Sequence, residues 1–127
     1  MLLSKKILSD VFNISIHKNR YYLVEILDKK EFSLSDLKQL ISAQLEMGSR
    51  KLPTMFLFGK YSTADIETLK HMAKVYNCPY STADAFVINS ISQKIICNFY
   101  IKIVAPERST SLFTTQDDAV KWLKQFN

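Results

Sequence analysis

The side chains that could do chemistry fall in a few short segments. Ser62 and Thr63 open a stretch with the apolar spacing of a helix, and Asp65 follows Ser62 at a capping distance. A helix start offers free N–H groups and the positive end of the helix dipole. A phosphate there, bound as an anion or attached to Ser62 or Thr63, would be stabilised. The plainer role of Ser62 is an N-cap contributing about 1 kcal/mol. Asn89, Ser90 and Ser92 lie where an apolar strand ends and a helix begins. Open α/β sheets bind ligands at such positions, and the same residue types serve as turn and capping groups.

Other reactive types argue against catalysis. Cys78 and Cys97 form no C-x-x-C pair and fit no metal spacing. Cys97 sits in an apolar helical run and reads as core. His17 and His71 have no ligand partner at a metal-binding spacing. There is no G-x-S-x-G, no Walker A sequence and no Rossmann glycine fingerprint, and the chain has only two glycines. No catalytic residue, metal or cofactor is expected.

The elements that must position these groups follow from the apolar periodicity. Residues 11–16 and 21–27 read as strands of a hairpin, joined through the polar turn His17, Lys18, Asn19 and Arg20. Ser33 with Asp36 forms a variant capping box for a first helix over 34–47, and Gly48 follows it. The run 52–58 is a fully buried strand, with Pro53 at its beginning. A second helix is expected over 63–76, ended by Pro79. The run 84–88 is another buried strand. Ile91, Ile95, Phe99 and Ile103 then recur every four residues, joined by Ile96 and Tyr100, along a third helix that Pro106 stops. Residues 110–114 form a last strand. Thr115 caps a final helix carrying Ala119, Val120, Trp122, Leu123 and Phe126.

The order is β-β-α-β-α-β-α-β-α. It predicts one α/β domain over 1–127, with a mixed, mostly parallel sheet of about five strands covered by helices. The third helix is apolar over more than one stripe. Ile95, Phe99, Tyr100 and Ile103 are therefore candidates for an interaction surface, meeting another protein or a second copy of the chain in a homodimer.

Composition narrows the partners. Of 127 residues 17 are basic and 12 acidic, a net charge of +5. Only three of the cations are Arg, and the basic residues are spread along the chain rather than clustered, so nucleic acid is not expected. The first residues are too short an apolar stretch for a signal peptide, and no window could span a membrane. Reduced thiols and a cytoplasmic location are the expectation.

Two segments carry a family resemblance. One is Asp84-Ala85-Phe86-Val87-Ile88-Asn89-Ser90-Ile91-Ser92, a strand ending in Asn-Ser, running into Ile95-Ile96-Cys97-Asn98-Phe99-Tyr100-Ile101-Lys102. The other is Phe113-Thr114-Thr115-Gln116-Asp117-Asp118-Ala119-Val120-Lys121-Trp122-Leu123, a strand, an acidic turn and an Ala-x-x-Trp-Leu helix. With the element order, these resemble the SpoIIAA-like (STAS, or STAS/SEC14-type) small bacterial domains. The resemblance implies that fold and a regulatory, non-catalytic role in protein contact. In the anti-anti-sigma branch of that fold an Asp-Ser-Ser-Gly-like motif carries a phosphorylated Ser. The matching stretch here, Gly59-Lys60-Tyr61-Ser62-Thr63-Ala64-Asp65, has neither the preceding Asp nor the following Gly. The alternative reading is a small-molecule binder for an apolar or nucleotide-like ligand, its pocket lined near Phe58, Tyr61, Ile88 and Phe99.

Overall fold

A computed structural model describes residues 6–126. Alternation builds the sheet. In β2 (Phe12–His17) and β3 (Tyr21–Ile26), Phe12, Ile14, Tyr22, Val24 and Ile26 point to one face and are buried there. The two strands pair antiparallel from Phe12↔Ile26 to His17↔Tyr21. Lys18 and Asn19 both take positive φ at the tip, the geometry a tight hairpin needs. Arg50 fastens this turn from outside, its guanidinium donating to Asn19 Oδ1 and to the Asn19 carbonyl at 3.1 and 3.2 Å.

The central strands lack that alternation. β5 (Leu52–Phe58) and β7 (Ser81–Val87) are buried on both sides over most of their length. They run parallel to β3 and to each other, and β8 (Ser109–Phe113) adds a further parallel edge strand. A short strand, β1 (Lys6–Leu8), pairs antiparallel with β2 at the other edge, so the sheet has six strands in the order β1-β2-β3-β5-β7-β8.

Parallel connections place helices on the faces. α1 (Leu34–Glu46), α2 (Ile66–Met72) and α3 (Ile91–Phe99) send Leu37, Leu40, Leu69, Met72 and Cys97 into one core. There Phe12, Phe32, Phe56, Phe58, Phe86 and Tyr100 form a chain of ring contacts with centroids 5.3–6.3 Å apart. α4 (Gln116–Leu123) covers the opposite face, where Ala119 and Leu123 meet Met55, Ala85 and Val87. The mixed, mostly parallel α/β architecture follows the expected element order.

The helices depart from expectation in three places. The second helix begins at Ile66, not at 63, because Thr63 and Ala64 form a two-residue strand, β6, parallel to β4 (Glu31–Phe32). Thr63 N–H donates to the Lys30 carbonyl and Asp65 N–H to the Phe32 carbonyl, at 3.0 and 2.9 Å. A contact across more than thirty residues thus takes the first residues of the expected helix. That helix also ends early, at Met72, since Val75 N–H donates to Glu107 Oε1 at 2.8 Å rather than continuing the helical ladder. The third helix does not run unbroken either. It widens after Phe99 into a π turn over Tyr100–Val104 and closes on Ala105 in the left-handed region, whose N–H donates to the Tyr100 carbonyl.

At Gly59, just past β5, another backbone segment approaches closely. The Gly59 N–H donates to the Ile26 carbonyl at 2.8 Å, and a Cβ there would lie 2.6 Å from that oxygen and 2.8 Å from Asp28 N. Neither is a side chain that can swing away. Gly59→Ala is therefore expected to cost about 1–3 kcal/mol, read as a lowered denaturation midpoint; an unchanged midpoint would contradict this packing.

Candidate functional site

At the carboxyl ends of β5 and β7 the segments singled out from the sequence come together. Ser90 is the N-cap of α3, its Oγ accepting from Gln93 N–H at 3.2 Å. Asn89 Nδ2 donates to the Phe58 carbonyl at 2.6 Å, and Asn89 N–H donates to Gln93 Oε1 at 2.8 Å. Gln93 Nε2 then donates to the carbonyls of Gly59 and Ser62, at 2.9 and 3.1 Å. Ser62 is buried and gives its hydroxyl to the Gly59 carbonyl at 2.8 Å. Asn89, Ser90 and Ser62 are thus committed to a hydrogen-bonded knot around the buried Gln93 amide.

This corrects one expectation. Ser62 does not cap α2; Asp65 stands at that position. Ser62 and Thr63 lie in a turn and a strand, so neither opens a helix. Ser92 is exposed on the first turn of α3, beyond the knot. Outside the knot is an open depression of about 660 Å³ rimmed by Glu25, Asp28, Lys60 and Asn89. Phe58, Tyr61, Ile88 and Phe99, expected to line one pocket, are not brought together: Phe58 also lines that depression, while Ile88 lines a second one of about 400 Å³ with Asn89, Ser90, Ile91 and Lys94. Phe58 and Ile88 are buried in the core, while Tyr61, 79% exposed at a positive φ, and Phe99 turn to solvent.

Among the expected surface residues on and after α3, the structure separates one from the rest. Tyr100 is fully buried against Phe86, which corrects its assignment to an outer surface. Ile95 and Phe99 are exposed at 65% and 40%, Ile103 at 68%, and Ile91 joins them at 77%. The inner face of α3, with Gln93 and Cys97, rests on the sheet side. The outer face carries the four apolar side chains, with Lys94 and Lys102 exposed beside them.

At the opposite end of the strands lies a buried polar pair without an evident sequence signal. Arg108, just before β8, donates from Nε to Asp84 Oδ2 on β7 at 2.8 Å, with both side chains almost wholly buried. Asp84 Oδ1 accepts from Ser81 Oγ at 2.6 Å, and Ser81 Oγ lies 2.8 Å from Thr54 Oγ1. Burial works against the Arg108 charge; the Asp84 carboxylate, with Cys78 and Tyr100, more than offsets it, and the guanidinium pKa is raised. Among the described residues, Arg108 Nη1, Arg108 Nη2 and the Tyr100 hydroxyl are buried without a hydrogen-bond partner.

Neither thiol is set up as a nucleophile. Burial pushes Cys78 up to about 11, against the opposing pull of the Arg108 guanidinium, and pushes Cys97 up to about 12. Both cysteines are free and buried. Among the described residues no group of three or more His, Cys, Asp and Glu could hold a metal ion.

Comparison with known proteins adds a family and a fold. Residues 6–127 match the family DUF7793, described as a domain of unknown function. No curated protein matches the chain. The structure is similar to the crystal structure of an uncharacterised protein of the DUF3478 family from Shewanella loihica PV-4, which has a SpoIIAA-like fold. The likeness covers 97% of each chain at 13% identity, with a TM-score of 0.50. At that identity it speaks to the fold alone, and the fold is SpoIIAA-like.

Three outcomes test this geometry. Gln93→Ala would leave Asn89 N–H and two carbonyls without their amide partner and is expected to lower stability by about 2–3 kcal/mol in chemical denaturation. The thiols are expected to resist a disulfide reagent at pH 8 until the chain unfolds. Stability should also fall between about pH 9 and about pH 11, because there the unfolded chain releases a Cys78 proton that the folded chain keeps, and so binds fewer protons. Rapid labelling of the folded protein would contradict the buried placement.

Proposed function

This chain belongs to the DUF7793 family, and we propose that it serves as a non-catalytic interaction module whose working surface is the outer face of α3. The observation that carries the reading is the exposed row Ile91, Ile95, Phe99 and Ile103. A helix that is apolar all round is ordinarily buried all round. Here the inner face is taken up by the core and the outer face is not. Apolar side chains scattered singly on a surface need no explanation, but three large ones along one helix, followed by a fourth in the π turn that continues it, mark a contact site.

The non-catalytic part of the reading has its own support. At the carboxyl end of the sheet Asn89, Ser90, Gln93 and Ser62 are spent on one another and on the backbone, and the thiols are held protonated. His17 and His71 are exposed on different elements, a hairpin strand and α2. No nucleophile with an adjacent base emerges from these placements.

Site-specific photo-crosslinking in the native host would test this reading. A photoreactive residue at position 95 or 103 is expected to give discrete adducts, whereas one at Lys121, exposed on α4 across the sheet, should not. Absence of adducts at 95 and 103 under all growth conditions would remove α3 as the working surface.

A further inference from the structure

We propose that the outer face of α3 docks the domain on an anionic phospholipid surface; this rests on the reading of α3 as the working surface. The shape of the patch is the first argument. Ile91, Ile95 and Phe99 recur about 6 Å apart along the helix axis, and Ile103 extends the row from the π turn. They form a ridge on one helix rather than the walls of a groove. A ridge can sink into the boundary between headgroups and acyl chains without a matching surface on the other side, as interfacial helices do.

Charge is the second argument. Lys94 and Lys102 flank the ridge, with Asn98 between them in the same four-residue row. From residue 91 to 106 there is no acidic side chain. The next, Glu107, is engaged by Val75 N–H and, at 3.6 Å, by Lys74. The acidic turn of Asp117 and Asp118 belongs to α4, which covers the opposite face of the sheet. On the neighbouring α2 the exposed Glu67 is paired with Lys70 at 3.4 Å, so the face of α3 offers two lysines beside its apolar projections, the composition that anionic headgroups over acyl chains would meet.

Size and symmetry favour a lipid surface over a second copy. Four side chains supply on the order of a few hundred Å², short of the roughly 800 Å² per partner of a stable protein interface. Two-fold pairing of antiparallel α3 helices would also bring the lysine rows of both copies to the same edge, where like charges repel. Among the described residues no helix is long and apolar enough to cross a membrane, so the contact would be peripheral.

Flotation with vesicles tests the proposal, using phosphatidylcholine alone and phosphatidylcholine mixed with phosphatidylglycerol, at low and high salt. The wild type is expected to float with the anionic vesicles, at least roughly tenfold better than with the neutral ones, and to be released by salt. Lys94→Glu with Lys102→Glu should weaken anionic binding by roughly tenfold or more. Ile95→Glu with Phe99→Glu should abolish it, while circular dichroism and the unfolding midpoint stay as in the wild type. Failure of the wild type to float, or flotation indifferent to both pairs of substitutions, overturns the lipid proposal. If flotation fails while crosslinks from position 95 trap only protein, or while the Ile95→Glu, Phe99→Glu variant dissolves a dimer seen by light scattering, the α3 reading stands and the lipid proposal falls.

Discussion

β5 and β7 have to be dry on both faces. Thr54, Met55 and Phe56 on one strand, and Ala83 through Val87 on the other, are buried at consecutive positions, so each strand presents side chains to two layers at once. A sheet with such a centre is stable only between helices. The right-handed crossovers of a parallel sheet supply them. α4 reaches the far face, where the small side chains of Ala85 and Ala119 let helix and sheet come close.

The same constraint explains the character of α3. As the crossover helix from β7 to β8, it must press an apolar face on the sheet, and Cys97 and the following Tyr100 do this. Gln93 fixes its first turn, since its amide ties the carbonyls that follow β5 to the strand end at Asn89. The helix is therefore pinned at its start and along its inner side. Its outer row is left largely exposed for want of a further layer, Phe99 being the most covered of the four. A core element and a presenting element are one helix seen from two sides.

Between the middle of β7 and the start of β8 the Asp84–Arg108 pair serves a different purpose. Its Coulombic gain is offset by the loss of hydration of both charges, so its net contribution to stability is small, although removing either partner alone would leave an uncompensated charge in the core. What the pair supplies is a specific pairing between β7 and the start of the edge strand β8, reinforced through Ser81 and Thr54 to β5. Three adjacent parallel strands are joined near one end by a polar chain and, near the other, two of them by the Gln93 knot.

Much of this was legible in the residues. Period-two alternation marked the hairpin, continuous apolar runs marked the central strands, and four-residue recurrence with caps at Ser33, Ser90 and Thr115 marked three of the four helices. These signals are local, since backbone geometry couples each residue to neighbours only a few positions away. What they could not carry is contact between distant segments. The pairing of Thr63 with Glu31 and the tie between Val75 and Glu107 shortened the second helix from both ends. The capture of Ser62 by Gly59 and Gln93 turned a candidate anion site into a structural knot. Nor could periodicity tell Phe99 from Tyr100. In a helix apolar on several sides, only the position of the sheet decides which side chain becomes core and which becomes surface, and that position is set by packing rather than by sequence spacing.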